Sequence, residues 1–255
     1  MPDILTNLRL SDDNRIVHGL WIGPALSSLE KLTIRSFQAQ GHEFHLWIYD
    51  EVSEVPSGTV LEDANDVVER RRVFRYREND PHRGLGKGSL AGFSDIFRYR
   101  LLFEKGGWWA DMDVTCLRPL DFESPYVFRE HETLPVVGNI MKCPPRSALM
   151  ASCFEHASRE VDEHNRDWVK PVRILCDEIE RLGLTRFIVP GLANPEVWEE
   201  IEARVLSNAP LRDGIHVFHW CNEKWRTEGI QRDPALAGTT YSTLLELFGV
   251  VRSGW

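Results

Sequence analysis

The chain has 255 residues, 42% of them hydrophobic, and its 39 acidic residues against 30 Lys and Arg give a formal net charge of −9. This size and composition allow a substantial core, and the negative charge disfavours nonspecific binding to nucleic acids and anionic membranes. No window approaches the roughly eighteen apolar residues of a membrane span, and residues 1–13 lack the basic start and apolar core of a secretion signal. We therefore expect a cytoplasmic protein without a nucleic-acid partner or a transmembrane segment, which leaves peripheral membrane association open.

The first predicted elements are a strand, a helix and a second strand. Apolar runs predict strands at residues 15–22 (RIVHGLWI) and 43–49 (EFHLWIY), and helical spacing of apolar residues predicts a helix at residues 27–40. This order predicts a right-handed βαβ crossover in a parallel sheet, with a ligand crevice at the carboxyl ends of the strands.

The middle of the chain begins with weakly periodic sequence. In residues 51–88, Gly, Pro and Asn predict loops around a short helix near residues 60–72. Residues 89–105 then predict a helix with Ser89 as its N-cap and Gly106 just after its end. Further strands are predicted at residues 108–110, 126–129, 136–141 and 215–220, and further helices at residues 146–163 and 168–182. Without a repeat or a linker, we expect residues 1–255 to form one domain.

Two carboxylates, Asp111 and Asp113, follow the apolar run at residues 106–110 (GGWWA). An isolated Asp-x-Asp is more often a solvated turn. Here, however, unpaired carboxylates at the end of a buried segment would repel each other, and a bound cation would remove that repulsion. A site that borrows ligands from substrate phosphates suits Mg²⁺ or Mn²⁺ better than zinc.

A second polar pair, Asp95 and Arg98, lies three residues apart on the helix predicted at residues 89–105, so the two side chains share one face. Their apolar neighbours favour a pair directed at a site, although a surface ion pair is the alternative. Arg98 is suited to a phosphate, and Asp95 to ribose or sugar hydroxyls.

Together, residues 94–98 (SDIFR), 106–113 (GGWWADMD) and 117–120 (LRPL) resemble the DXD-motif glycosyltransferases of the GT-A type. This group includes capsule and lipopolysaccharide sugar transferases, Och1-like mannosyltransferases and glucosylating toxins. The resemblance implies an α/β fold with a Rossmann-like mixed, mostly parallel sheet flanked by helices. It also implies a nucleotide-sugar half at about residues 14–120, and an acceptor side with a C-terminal metal segment at about residues 121–255.

The same resemblance gives roles to the polar residues. It implies that Asp95 contacts the sugar or ribose and Arg98 the sugar or diphosphate, while Asp111 serves the ribose and a metal-linked water and Asp113 coordinates the metal. Trp109 stands where these proteins often have Tyr. Its indole could therefore stack on the donor or donate its single N–H, and core packing is the alternative.

Residues 18–23 (HGLWIG) resemble the first strand of the same proteins, which holds the nucleobase. This implies that Trp21 stacks on the base. Without the resemblance, a large aromatic residue in a buried strand would be expected to pack in the core.

Near the other end, residues 216–226 (HVFHWCNEKWR) resemble the segment that brings a third metal ligand to the DXD carboxylates. His219 best matches that position, and an imidazole nitrogen beside two carboxylates suits Mn²⁺. A structural histidine is the alternative. Asn222, Lys224 and Trp225 would then close over the diphosphate.

We therefore expect a metal-dependent glycosyltransferase in surface glycan biosynthesis, with Asp95, Arg98 and Asp113 as its catalytic residues. It would move a hexosyl or N-acetylhexosaminyl unit from a nucleoside-diphosphate sugar, UDP-linked rather than GDP-linked, to a glycan, lipid-linked or protein hydroxyl acceptor. The resemblance implies retention of the anomeric configuration. Two alternatives stay open: a metal-dependent phosphohydrolase that uses Asp111 as nucleophile or ligand, and a non-catalytic sugar-nucleotide or glycan-binding module.

Overall fold

The computed structural model describes residues 10–251. The expectation that the N-terminus is not a secretion signal concerns, in part, residues 1–9, which lie outside the described residues. In chain order, the strands are β1 (Ile16–Trp21), β2 (Glu43–Ile48), β3 (Val60–Asp63), β4 (Gly107–Ala110), β5 (Val114–Cys116), β6 (Val127–Glu130), β7 (Val136–Cys143), β8 (Ile188–Val189) and β9 (Val217–His219). The helices are α1 (Asp12–Arg15), α2 (Ser28–Ala39), α3 (Ala91–Lys105), α4 (Ala148–Glu160), α5 (Lys170–Arg181), α6 (Trp198–Leu206), α7 (Asn222–Glu228) and α8 (Thr240–Leu247).

Seven strands form the main sheet, in the order β3-β2-β1-β4-β7-β6-β8. Strand β7 runs antiparallel to both of its neighbours, β4 and β6, whereas every other neighbouring pair is parallel. The expected α/β fold with a mixed, mostly parallel sheet is therefore confirmed. The reversed strand matters for the site, because the start of β7 lies at the same edge of the sheet as the carboxyl ends of β1 and β4.

Helices cover both faces of this sheet. A core cluster joins α3, α4 and α5 to one face, and a second cluster fills the space between α2 and the other face. Successive side chains of a strand point to opposite faces of the sheet. In β4, Trp108 accordingly packs into the second cluster and Trp109 into the first. A third cluster connects α2 with α6, α8 and β9.

A small second sheet holds the two strands β5 and β9 in antiparallel pairing, with Val114 opposite His219. Strand β5 follows the Asp-x-Asp sequence, and β9 ends at His219. Pairing in this register brings two stretches of chain that are far apart in sequence to one place.

Residues close in sequence determine where helices α2 and α3 begin and end. The Glu30 carboxylate accepts hydrogen bonds from the backbone N–H of Ser27 (2.7 Å) and from its hydroxyl (2.5 Å), which fixes the start of α2. Helix α3 begins at Ala91 with Leu90 as its N-cap, so Ser89 is not the N-cap that the sequence predicted. At its other end, Gly106 has a φ of 69°, as expected for the glycine that ends the helix.

The helix predicted near residues 60–72 is wrong. Residues Val60–Asp63 form β3 at the edge of the sheet, and two 3₁₀ turns follow, at Ala64–Asp66 and Arg70–Arg72. The reason is tertiary: Val60–Asp63 pairs in parallel with β2, and the local sequence carries no sign of that partner. The predictions also omitted five elements that the structure shows downstream of the Asp-x-Asp sequence: β5, β8, α6, α7 and α8.

Among residues 10–251, none of the helices combines the length and the apolar character needed to cross a bilayer.

Candidate functional site

A cavity of about 800 Å³ opens where β1 and β4 end and β7 begins. Its volume lies within the range of ordinary ligand pockets. Helix α3 contributes its N-terminal half to the wall, together with the segments around residues 83–90, 131–134, 168–172, 196–198 and 219–226. Nine of the residues predicted for the site line this cavity, and eight of them are Trp21, Asp95, Arg98, Trp109, Asp111, Asp113, Asn222 and Lys224. The ninth is His219, the predicted third metal ligand.

The turn that carries the two carboxylates is fixed through its backbone. The N–H of Asp111 donates to the carbonyl of Asn139 in β7 (2.8 Å), and the N–H of Trp220 donates to the carbonyl of Asp113 (2.9 Å). The turn is therefore attached to the main sheet at one residue and to the β9 segment at the other. Both carboxylates face the cavity as a result.

Asp111 forms one half of this acidic turn and is held by two donors. Its Oδ1 accepts from Trp109 Nε1 (2.7 Å) and lies 3.1 Å from Arg98 Nη2. Arg98 Nη2 also lies 3.0 Å from Asp95 Oδ1, and the two side chains of that pair are only 5% and 9% exposed. The guanidinium stacks over the Trp109 ring, 5.2 Å from its centroid. The single N–H of the Trp109 indole therefore donates to Asp111.

Asp113 faces the β9 segment instead. Its Oδ2 accepts from the backbone N–H of Asn222 (2.7 Å), the first residue of α7, and lies 3.2 Å from His219 Nε2. The side chains of Asp113 and His219 are each 13% exposed. An anionic oxygen and an imidazole nitrogen therefore stand side by side at the cavity wall.

These surroundings shift the pKa values of the three site carboxyls by different amounts and in different directions. Burial, only partly offset by Arg98, raises the pKa of Asp95 to about 6. Burial also raises the pKa of Asp111, with the Asp113 carboxylate acting in the same direction against Arg98. For Asp113, burial is outweighed by His219 and the Asn222 N–H, so its pKa lies below the ordinary value. Asp113 is therefore the carboxylate that stays ionised most readily.

The geometry at Asp113 fits a divalent cation. In an octahedral Mg²⁺ site with ligands at about 2.1 Å, adjacent ligand atoms lie about 3.0 Å apart, close to the 3.2 Å between Asp113 Oδ2 and His219 Nε2. Asp111 is different, because Oδ1 is already engaged by Arg98 and Trp109. Within residues 10–251, the compact group of three His, Cys or acidic side chains is Glu196, His219 and Cys221, which includes neither Asp111 nor Asp113.

Three buried polar atoms of residues that line the cavity have no hydrogen-bond partner among the described residues. They are Arg98 Nε, Asn139 Oδ1 and Asn222 Oδ1. Buried polar groups in native proteins are normally satisfied. A ligand that presents both acceptors and donors, as phosphates and sugar hydroxyls do, would supply the missing partners.

Two tryptophans of the predicted site have different places. Trp21 ends β1 at the mouth of the cavity, with its Nε1 donating to the carbonyl of Ala25 (3.1 Å). Trp225, by contrast, is fully buried in the third core cluster, where its Nε1 donates to the carbonyl of Trp220 (2.7 Å). The structure does not bring Trp225 to the cavity, contrary to the expectation that it closes over the diphosphate, because α7 turns that side chain into the core against Tyr241.

Sequence reasoning missed part of the cavity wall. Glu196 lies 2.8 Å from His219 Nδ1, and Asn139 donates to the same Glu196 oxygen at 2.9 Å. Gly138 leaves room for Arg98, since a Cβ there would lie 2.4 Å from Arg98 Nη1. The sequence around these residues carries no motif, and only the reversed strand β7 and the loop before α6 bring them to the site.

Solved structures that resemble this chain include two glycosyltransferases. The chain is similar to the PaToxG glycosyltransferase, with 12% identity over 66% of this chain and 69% of that one and a TM-score of 0.47. It is also similar to the galactosyltransferase LgtC in complex with donor and acceptor sugar analogues, with 12% identity over 94% of this chain and 97% of that one and a TM-score of 0.48. Among curated proteins, none matches the chain significantly.

A family model matches the part of the chain that contains the acidic turn. The family is described as a glycosyltransferase sugar-binding region containing a DXD motif, and residues 44–132 match it. This range includes Asp95, Arg98, Asp111 and Asp113, whose side chains meet at the cavity. The match agrees with the resemblance seen in the sequence: residues 44–132 are similar to the DXD-containing sugar-binding region of glycosyltransferases.

Proposed function

We propose that this chain is a metal-dependent glycosyltransferase that moves a hexosyl or N-acetylhexosaminyl unit from a UDP-sugar to a hydroxyl acceptor, with retention of configuration. The observation that carries the proposal is the meeting of Asp95, Arg98, Asp111, Asp113 and His219 at one cavity of about 800 Å³. In this proposal, residues 14–120 supply the nucleotide side, and residues 121–255 supply the acceptor side and the third metal ligand.

Asp113 and His219 would hold the metal, and Asp111 would bind the ribose and a metal-linked water. Their mixed oxygen and nitrogen donors suit Mn²⁺ and also accept Mg²⁺. When bound, the cation supplies Lewis-acid stabilisation for the negative charge of the diphosphate. The ionised state of Asp113 supports its role as the direct ligand.

Arg98 and Lys224 would stabilise the departing diphosphate. Arg98 keeps its charge because Asp95 and Asp111 lie beside it, and its Nε has no partner among the described residues. Lys224 lines the same cavity from α7, and its ammonium group is 3.9 Å from Glu228. Fixed positive groups placed where charge develops lower the barrier to leaving-group departure.

Asp95 would position the sugar. Its carboxylate is nearly buried, shares Arg98 with Asp111 and lines the cavity beside Ser94. Because burial raises the pKa of Asp95 to about 6, this carboxyl is a strong hydrogen-bond acceptor for a sugar hydroxyl at neutral pH. Trp21, at the mouth of the cavity, would stack on the uracil ring.

The test is a panel of UDP-, GDP- and other nucleotide sugars, each assayed with Mn²⁺, Mg²⁺ or EDTA for hydrolysis and for thermal stabilisation. We expect one donor to raise the melting temperature only when the metal is present. Transfer to an acceptor hydroxyl, with NMR assignment of the anomeric configuration of the product, completes the experiment. Release of inorganic phosphate without transfer would identify a phosphohydrolase instead, and binding without turnover would identify a non-catalytic module.

Asp113→Asn is the decisive variant. We expect it to abolish metal-dependent turnover while its melting temperature without ligand stays near that of the wild type, because the amide keeps the shape but removes the anionic ligand. Asp66→Asn, at an exposed position outside the cavity, is the matched control and should retain wild-type rates. Wild-type rates in Asp113→Asn would refute the metal role.

A further inference from the structure

We propose that Glu196 is a positioning residue that fixes the imidazole of His219 so that its Nε2 faces Asp113 and the metal. This inference rests on the proposed function and adds to it a residue that the sequence motifs do not contain. Its basis is the position of the ring between two carboxylates: His219 Nδ1 lies 2.8 Å from Glu196 Oε1, and Nε2 lies 3.2 Å from Asp113 Oδ2.

The contact with Glu196 decides which nitrogen can serve the metal. A carboxylate oxygen is an acceptor, so the Nδ1–H of His219 donates to Glu196 Oε1. Nε2 is then the nitrogen that faces Asp113 and the cavity, and its lone pair becomes available to a cation that displaces the proton between it and Asp113. Donation of the second ring N–H to a carboxylate fixes the tautomer and the orientation of a metal-binding histidine and makes it a better ligand.

Glu196 is itself held rigidly. The Nδ2 of Asn139 donates to Glu196 Oε1 at 2.9 Å, and the guanidinium of Arg129, only 1% exposed, forms an ion pair with the same oxygen. His131 Nε2 lies 3.4 Å from the other oxygen. These partners come from β6, β7 and the turn between them. They keep the carboxylate from swinging away from the ring.

The backbone of His219 is fixed to the same loop. Asn194 accepts from the His219 N–H at 2.6 Å through Oδ1 and donates to the His219 carbonyl at 3.1 Å through Nδ2. The loop carbonyl of Asn194 accepts in turn from Arg129 Nη2 at 2.5 Å. Both the main chain and the side chain of His219 therefore take their position from residues 194–196.

Cys221 is a weaker candidate for the acceptor of the His219 Nδ1–H. Its Sγ lies 3.4 Å from His219 Nδ1, and sulfur is a poor acceptor compared with a carboxylate oxygen.

An alternative role for Glu196 is only to neutralise the buried Arg129. If Glu196 only neutralises Arg129, its replacement should lower stability whether or not His219 is present. If Glu196 positions His219, its replacement should weaken metal binding only while the imidazole is present.

The experiment measures Mn²⁺ affinity of the full chain without donor, from the EPR signal of free Mn²⁺, and detects imidazole coordination as ¹⁴N coupling in pulsed EPR of the bound ion. We expect Glu196→Gln to weaken Mn²⁺ binding by about 10- to 100-fold and to reduce the ¹⁴N coupling. Glu199→Gln, an exposed neighbour on α6, is the matched control and should change neither.

A double-mutant cycle with His219→Gln separates positioning from structure. If Glu196 acts through His219, Glu196→Gln should weaken binding no further once the imidazole is gone, so the two effects are non-additive. Glu196→Asp keeps the charge beside Arg129 with a shorter side chain, and it gives the same test should Glu196→Gln fail to fold.

The outcomes distinguish this inference from the function on which it rests. Wild-type protein that binds Mn²⁺ with ¹⁴N coupling, together with unchanged affinity in Glu196→Gln or fully additive effects in the cycle, would overturn the role of Glu196 alone. Wild-type protein that shows no Mn²⁺ binding, or no ¹⁴N coupling, would overturn both the metal site and the positioning role.

Discussion

The two carboxylates of the Asp-x-Asp turn have different surroundings, although one residue separates them. Asp111 is held by two N–H donors, from Arg98 and Trp109, while Asp113 faces His219 and a backbone N–H. Their pKa values move in opposite directions accordingly, raised for Asp111 by burial and lowered for Asp113, where His219 outweighs burial. Two carboxylates one residue apart therefore differ in both their hydrogen bonds and their acidity.

Trp109→Phe tests the donor on Asp111. Phenylalanine keeps an aromatic face for Arg98 but removes the N–H that Asp111 Oδ1 accepts at 2.7 Å. A hydrogen bond to a charged group contributes about 1.5–3 kcal/mol, so we expect donor affinity in the presence of metal to fall by about 10- to 100-fold, measured by calorimetry.

The neighbouring residue provides the control. Trp108 Nε1 donates to Asn14 Oδ1 at 3.0 Å in the core on the opposite face of the sheet. Trp108→Phe should lower stability and leave donor affinity unchanged. Equal donor affinities in wild type and Trp109→Phe would contradict the role of the indole.

Strand β7 contributes more to the site than its mostly apolar sequence indicates. Every one of its residues is buried, and its reversed direction puts its first residues beside the end of β4. Gly138 faces Arg98 so closely that a Cβ would lie 2.4 Å from Nη1. The strand therefore fixes the position of a guanidinium that belongs to α3.

Gly138→Ala tests this packing. The added methyl group must displace Arg98 from Asp95 and Asp111, and a displacement of about 1 Å at a reacting group costs about 100-fold in rate. We expect kcat/KM for transfer to fall by about that factor, with a loss of stability of about 1–3 kcal/mol from overpacking. Wild-type kcat/KM together with a folded variant would show that Arg98 tolerates the shift or has no part in the reaction.

How far the sequence could predict the fold depends on where each element finds its partner. Strands β1 and β2 and helices α2 and α3 carry their own periodicity, and the predicted boundaries lie within two residues of those observed. Strand β3 is short, with half of its residues exposed, and its pairing with β2 leaves no local trace. The site follows the same rule. Asp95, Arg98, Asp111 and Asp113 belong to local sequence motifs and could be predicted, whereas Glu196 reaches the site only because its loop packs beside β9.

Two buried histidines connect distant segments of the molecule through hydrogen bonds of their ring nitrogens. His42 Nδ1–H donates to the carbonyl of Asn14 (2.9 Å), and His42 Nε2 accepts from the N–H of Leu120 (3.1 Å). His18 Nδ1 accepts from Trp47 Nε1 at 3.2 Å. A second proton on either ring would lose one of these bonds inside the core. Burial accordingly lowers the pKa of His18 to about 3 and that of His42 to about 4.

These values predict acid sensitivity. The folded pKa of His42, about 4, lies below the unfolded value of 6.5, so the unfolded chain binds the proton more readily. The contribution of neutral His42 to the free energy of unfolding is complete above pH 6.5. It is lost as the pH falls toward 4, at about 1.4 kcal/mol per pH unit and about 3 kcal/mol in all.

Urea unfolding between pH 7.5 and 4.5 measures this loss. We expect His42→Gln to show a smaller fall in the free energy of unfolding than wild type, and His164→Gln, at an exposed position, to show the same fall as wild type. A wild-type free energy that is constant over this interval would contradict the prediction.

The small sheet of β5 and β9 also bears on how the protein is made. Its strands join residues 114–116 to residues 217–219, so a ribosome must add about a hundred residues after the acidic turn before the turn can meet its imidazole partner. A nascent or truncated chain that stops short of residue 217 carries the acidic turn but cannot form the contact between Asp113 and His219. Under the proposed function, an unfinished copy of the polypeptide would therefore lack the third ligand of its metal site.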